Sequence, residues 1–291
     1  MAGLIELSFE LGALDPEAAE AACLACGASA VTLEDAADDP VLEPAPGELR
    51  LWRLTRLKGL FADVGDGGEL AQSLARNLGL ALERIQVRAV PERAWEREWL
   101  KDFHAMRFGE RLWVCPHHET VRDPGAAVVR LDPGLAFGTG THPSTALCLT
   151  WLDGHLTPGA QVIDYGCGSG ILSVAAARLG AESVHAFDID PQALLATADN
   201  AAANDLARTV QVHAAAATLP VADLLLANIL ASALCSLAPA FAAHLRPGGQ
   251  VVLAGILAHE IGDVTAAYDA CFDVHCFGVR DGWAGLAGRR R

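Results

Sequence analysis

Ile5, Leu7 and Phe9 alternate with Glu6, Ser8 and Glu10, the two-residue period of a strand with one buried face. Asp15-Pro16 then opens a helical run over 17–25, since proline fits the first helical position. Residues 30–33 read as a second strand and 49–57 as a third. Between them, 35–48 carries Pro40, Pro44, Pro46 and Gly47 and reads as a loop. Gly67-Gly68 precedes a helix over 69–78, in which Leu70, Leu74 and Leu78 recur on one face. Residues 85–90 form a fourth strand before Pro91. The order β-α-β-β-α-β predicts a ferredoxin-like α+β domain over 1–91.

Trp95, Trp99 and Phe103 fall at helical spacing and predict a linker helix over 92–104, with the aromatic stripe as its packing face. Short strands follow near 112–115 and 127–131, then a helix over 146–152. Further on, strand and helix alternate. The strands fall at 161–164, 183–188, 210–213, 224–227, 250–254, 272–279 and 283–287, the helices at 170–179, 191–204 and 231–244. This alternation predicts a Rossmann-like, seven-stranded, mostly parallel sheet within a second domain spanning 105–291. Only residues 280–282 separate the last two strands, so the final one runs antiparallel.

Candidate chemistry gathers at the ends of these strands. In Val162-Ile163-Asp164-Tyr165-Gly166-Cys167-Gly168-Ser169-Gly170 an apolar strand ends in an acid and runs through a glycine loop into a helix. Glycine lets backbone turn tightly and approach a ligand, and the helix N-terminus favours negative charge. A dinucleotide loop takes the spacing G-x-G-x-x-G. Here it is G-x-G-x-G, the pattern usual for S-adenosyl-L-methionine, and Gly166 and Gly168 are the candidate cofactor-binding glycines. Asp188 ends the next strand and can accept hydrogen bonds from two ribose hydroxyls. Asp190, just ahead of Pro191, reads better as a helix cap. Asn228 ends the fourth strand, where its side-chain oxygen can accept from an amine or its amide can cap the following helix. Arg246-Pro247-Gly248-Gly249 reads as a turn before the fifth strand. The Gly- and Thr-rich run from Leu131 to Thr145, with Phe137 inside it, reads either as a flap that folds over a ligand or as an ordinary surface loop.

Charge narrows the partners. The net charge is −15 and the chain is 52% hydrophobic. An acidic chain disfavours direct nucleic-acid binding and suits a basic partner. Residues 1–49 hold eleven carboxylates and no Lys or Arg, either as a solvated face or as a docking surface for a basic substrate. No apolar stretch is long enough to span a membrane, and residues 1–10 lack the features of a signal peptide. The eight cysteines read as reduced thiols of a cytoplasmic protein. Cys23-x-x-Cys26 has no partner pair, so no metal site is expected.

The run 131–145, the loop 162–170, Asp188, Asn228-Ile229-Leu230 and the segment from Trp95 to Pro116 together resemble the bacterial ribosomal protein L11 methyltransferase family, most clearly over 92–291. The resemblance implies a ferredoxin-like substrate-recognition domain, a linker and a class I methyltransferase domain. It implies cofactor contacts at Thr145, Gly166, Asp188 and Asn228, with Asn228 also serving catalysis. The implied reaction is N-methylation of the ribosomal protein at lysine ε-amines and the N-terminal α-amine, up to trimethylation. A different acceptor on the same fold and a catalytically silent cofactor-binding module are the alternatives.

Overall fold

The computed structural model describes residues 4–37, 51–62, 67–90, 104–131 and 141–291. They fall into two units, Met1–Trp95 and Glu96–Arg291. The expected linker helix, the acidic loop beyond residue 37 and the flap over 132–140 lie outside the described residues.

The first unit runs β1 (Leu4–Glu10), α1 (Pro16–Ala25), β2 (Ala30–Asp35), β3 (Thr55–Ala62), α2 (Gly67–Leu78) and β4 (Gln86–Val90). Its antiparallel sheet has the order β2-β3-β1-β4, the ferredoxin-like arrangement. Asp15 caps α1 by accepting from the Ala18 N–H at 2.9 Å. Ile5, Leu7, Phe9, Leu57 and Phe61 share one core with Ala19, Cys23 and Leu74 of the helices. The third strand lies later than expected, at Thr55–Ala62 rather than 49–57. The ladder with β1 pairs Phe9 with Leu57 and Ile5 with Phe61, which sets the register by core packing. Leu51 and Leu54 fall outside that ladder, and Thr55 Oγ1 donates to the Trp52 carbonyl at 2.8 Å where the chain turns in.

The second unit begins with a small sheet of β5 (Met106–Phe108), β6 (Leu112–Cys115) and β7 (Ala127–Arg130). β5 was not expected; three residues are too few to show a period. The main sheet follows: α3 (Pro143–His155), β8 (Gln161–Tyr165), α4 (Ile171–Arg178), β9 (Ser183–Phe187), α5 (Pro191–Ala203), β10 (Val210–His213), β11 (Ala222–Asn228), α6 (Ala231–Ala243), β12 (Leu245–Leu257), α7 (Ile261–Tyr268), β13 (Phe272–Arg280) and β14 (Trp283–Arg290). The strand order is β10-β9-β8-β11-β12-β14-β13, and every ladder is parallel except the two made by β14.

One face of this sheet buries Val162, Val184, Leu224 and Val252 with Leu149, Leu152 and Val174 of α3 and α4. The other buries Ile163, Leu225 and Leu253 with Phe241, Val264 and Tyr268 of α6 and α7. α7 was missed from sequence; it is eight residues long and follows β12 almost directly. The segment 246–249, expected as a turn ahead of the strand, falls inside β12 and keeps a turn's backbone, with Gly248 at φ +76°; the pairing with β11 skips from Ala222–Leu245 to Leu224–Gln250. β9 and β10 lie on one side of β8, β11 and β12 on the other, so the chain reverses its winding between β8 and β11. Ligands of open α/β sheets bind at the carboxyl edge of such a switch point.

Candidate active site

The glycine loop is held from three sides. The N–H groups of Gly166 and Cys167 both donate to the Phe187 carbonyl, at 2.7 and 3.0 Å, tying the loop to the end of β9. From α5, Thr197 Oγ1 donates to the Gly168 carbonyl at 3.1 Å and Asn200 Nδ2 to the Ser169 carbonyl at 2.8 Å. Gly166 has φ +82° and Gly170 φ +76°, values that L side chains rarely adopt. A Cβ at Gly170 would lie 2.8 Å from Thr197 Cγ2, and one at Gly166 would lie 2.3 Å from Ile229 Cγ2. Glycine is therefore required for the turn and for the approach of β11's outgoing segment.

Asp188 lies directly beside this loop. Its Oδ2 accepts from the Gly168 N–H and its Oδ1 from the Asp190 N–H, both at 3.0 Å. A carboxylate oxygen accepts more than one hydrogen bond, so both retain capacity for neighbouring hydroxyls. Asp190 caps α5 through the Gln192 N–H at 2.8 Å. Ile189, between the two acids, is 90% exposed and offers an apolar surface at the mouth of the site.

Asn228 closes the other side. Its Nδ2 donates to Thr145 Oγ1 at 3.1 Å. Helix α6 is capped by Leu230 with no side-chain bond, so Asn228 is not a helix cap. Thr145 lies in the first turn of α3 and is 3% exposed. His142 caps that helix by accepting from the Ser144 N–H at 3.3 Å, and its ring meets Trp283 edge-on, with centroids 4.6 Å apart. Burial lowers the His142 pKa and favours the neutral ring.

Asp164, at the end of β8, is 1% exposed. Its Oδ2 accepts from Ser173 Oγ at 2.6 Å, and its Oδ1 has no partner. Burial pushes its pKa up from 3.8 to about 6, with the Ser173 bond pulling the other way. A buried acceptor left unmatched suits a cationic group arriving from outside the protein.

The structure thus brings all five sequence-predicted residues to one place. Gly168 and Asp188 are hydrogen-bonded, Asn228 and Thr145 are hydrogen-bonded, and Ile229 joins Asn228 to Gly166. Asp164, Ile189, Ile229, His142 and Trp283 were not singled out as site residues. An acid closing an apolar strand was a usable signal for Asp164; the others acquire their places from long-range packing. A cavity of about 420 Å³ lies at the opposite end of the strands, lined by Gln161, Asp223, Arg246 and Arg289 among others, and none of the predicted site residues borders it. No helix of the described residues is long and apolar enough to cross a membrane.

Residues 4–291 match the model of the family described as ribosomal protein L11 methyltransferase (PrmA). The chain belongs to that family. The ribosomal protein L11 methyltransferase of Methylococcus capsulatus is 48% identical over 273 residues, covering 93% of each chain. That of Pseudomonas aeruginosa is 48% identical over 284 residues, covering 96% of this chain and 97% of its own. The crystal structure of the ribosomal protein L11 methylase from Lactobacillus delbrueckii subsp. bulgaricus, at 33% identity, covers 65% of this chain and 100% of its own with a TM-score of 0.60. Within the L11 methyltransferase family the second unit is thus a class I methyltransferase fold, and the first a ferredoxin-like one.

Proposed function

We propose that the protein transfers methyl groups from S-adenosyl-L-methionine to ribosomal protein L11, at lysine ε-amines and the N-terminal α-amine, up to the trimethyl state. The observation that carries this reading is the packing of Ile229 against Gly166, because it sets the Asn228 amide beside the glycine loop. The residues fit the cofactor's chemistry. The exposed carboxylate capacity of Asp188 suits vicinal ribose hydroxyls, and the orphaned Asp164 Oδ1 suits an ammonium. Ile189 supplies apolar surface for a base, and Gly166 and Gly168 let backbone come close.

When bound, S-adenosylmethionine supplies a methyl group on a sulfonium, whose leaving group needs no acid. The protein's task is then to position an amine. A lysine has a reference pKa of about 10.4, and an apolar site beside a positive charge lowers it toward the neutral, nucleophilic form. Asn228 Oδ1 accepts an N–H of that neutral amine and aims its lone pair, while solvent takes the proton released. Burial favours the neutral form of the His142 ring at the start of α3. The net charge of −15 attracts a basic ribosomal protein by long-range field. In this reading 1–91 is the substrate-recognition domain, 92–104 the linker, and 105–291 the catalytic domain of a cytoplasmic enzyme.

The test is mass spectrometry of purified L11 incubated with the protein and S-adenosylmethionine. Mass gains of whole methyl groups on lysine and the N-terminus are expected; an unchanged L11 would refute the proposal. Calorimetry with S-adenosylmethionine and with NAD separates the two cofactors, and binding of NAD alone would overturn the assignment.

A further inference from the structure

His185 of β9 and His213 at the end of β10 are half-buried, with His185 Nδ1 and His213 Nε2 3.0 Å apart. The other ring nitrogen of His213, Nδ1, lies 3.0 Å from Thr218 Oγ1. That hydroxyl donates to the Ala215 carbonyl at 2.7 Å. Thr218 ends the short turn Ala216–Thr218 that follows β10. The proton positions follow from the carbonyl, which only accepts. Two oxygens 2.7 Å apart need a proton between them, so the Thr218 hydroxyl hydrogen points at Ala215. Its oxygen then accepts from His213 Nδ1–H. His213 Nε2 is left as a lone pair and accepts from His185 Nδ1–H. Burial lowers the pKa of both rings and favours the neutral forms that this chain of bonds requires.

The strands β10, β9, β8 and β11 lie side by side in that order. Asp188 follows β9, the glycine loop follows β8, and Asn228 ends β11. An adenosyl group whose ribose hydroxyls meet Asp188 and whose methyl faces Asn228 extends its sulfur toward β8 and β11. The base and the sulfur-bearing carbon leave the ribose on opposite sides of the ring oxygen. The base therefore points toward the exit of β10, one strand spacing of about 4.8 Å from β9. Residues 214–218 leave the sheet there. The backbone bonds of their turn run from Thr218 N to the Ala215 carbonyl and from Leu219 N to the Ala216 carbonyl, within the turn itself. Among the described residues, the His213–Thr218 bond is the one side-chain hydrogen bond that ties this turn to the strands.

We propose that His213 is a positioning residue for the cofactor's base: through Thr218 it fastens the segment 214–218 to β9, the strand that carries Asp188. The proposal rests on the S-adenosylmethionine reading above. A wall held in place before the base arrives spares the cost of ordering it on binding, so the bond acts on affinity.

The experiment compares Thr218→Val, Thr218→Ser, His213→Leu and the double variant His213→Leu with Thr218→Val in the full-length protein. Valine removes the hydroxyl from an exposed position and serine keeps it; leucine removes both ring nitrogens. Melting temperature reports folding. Calorimetry gives Kd for S-adenosylmethionine and for 5′-methylthioadenosine, which carries the same base and ribose but no amino-acid end. A neutral hydrogen bond corresponds to a factor of up to about ten, so Thr218→Val is expected to raise both Kd values by about five- to tenfold. In turnover on L11 the loss appears in the KM for S-adenosylmethionine rather than in kcat. Thr218→Ser restores both Kd values to within about twofold of the wild type, and the double variant binds no worse than His213→Leu, because the two residues act as one unit. The proposal is overturned if Thr218→Val binds both ligands like the wild type, or if serine is as weak as valine. It is overturned equally if S-adenosylmethionine loses affinity while 5′-methylthioadenosine does not, or if the two losses multiply. A wild type that binds neither ligand would sink the cofactor reading and this proposal together; a wild type that binds both, with variants unaltered, sinks this proposal alone.

Discussion

The Cγ2 methyl of Ile229 occupies the space that a side chain at Gly166 would need, 2.3 Å from where its Cβ would stand. On the other flank, a Cβ at Gly255 of β12 would lie 2.3 Å from the Ile229 carbonyl oxygen. Ile229 is thus wedged between two glycines with φ +82° and +79°, one just beyond β8 and one within β12, the two strands that flank β11. The wedge holds Asn228 at a fixed distance from the glycine loop. Gly166→Ala adds both backbone strain and a steric clash. It is expected to cost about 1–3 kcal/mol of stability and at least about tenfold in S-adenosylmethionine affinity. Adding Ile229→Ala relieves the clash but not the strain, so the pair should recover only part of the affinity by calorimetry.

Asp188 holds two backbone N–H groups, one on each oxygen. Asp188→Ala removes these charge-assisted bonds and the proposed ribose contacts at once. Each such bond contributes about 1.5–3 kcal/mol, which places the loss of cofactor affinity at roughly a hundredfold. An unaltered Kd would remove Asp188 from the cofactor site.

The pH behaviour of Asp164 follows from its burial. A carboxyl whose folded pKa is raised from 3.8 to about 6 favours the protonated form in the fold. Its contribution is fully present below the unfolded pKa and declines as pH rises through about 6. By neutral pH the change amounts to roughly 3 kcal/mol. Asp164→Asn should therefore raise the melting temperature of the ligand-free protein at pH 7.5 and have much less effect at pH 4. The same substitution should weaken S-adenosylmethionine binding, because a neutral amide meets the ammonium. In the wild type, cofactor affinity should fall as pH drops below about 6. A melting temperature at pH 7.5 unmoved by the substitution would contradict the buried-charge account.

Asn228→Ala should lower kcat about a hundredfold, since a misaimed nucleophile loses most of its proximity advantage. The cofactor Kd should change only a fewfold. Stopped transfer assays on L11 with saturating cofactor separate the two quantities, and an undiminished kcat would exclude Asn228 from the chemistry.

The first unit has its own core, independent of that of the second. Deleting residues 1–90 should leave S-adenosylmethionine binding intact and abolish methylation of full-length L11. Normal methylation by the truncated protein would show that recognition does not reside in the first unit.

Local chemistry explains what was legible in the sequence. The alternation at Ile5, Leu7 and Phe9, the glycine loop and the acid ending β9 each depend on residues close in the chain, so their pattern survives in the sequence alone. The start of β3 was misplaced because Leu51 and Leu54 extend the apolar run past the strand, and the register is set by β1, 46 or more residues away in such pairs as Glu10–Arg56. Whether Asn228 capped a helix or faced a ligand depended on Thr145, 83 residues earlier. The fifth strand was expected to stop at 254, one residue short of Gly255; only the neighbouring backbone of Ile229 shows why no side chain fits there.

β14 is the last strand in chain order among the described residues, yet it lies inside the sheet, with β12 on one side and β13 on the other. Among the described residues β13 pairs with no other strand. Until β14 is made, β12 therefore carries an open hydrogen-bonding edge and β13 has no place in the sheet. A nascent chain on the ribosome would hold that sticky, unpaired edge through the synthesis of α7 and β13, and premature termination anywhere in this stretch would leave a species prone to aggregate.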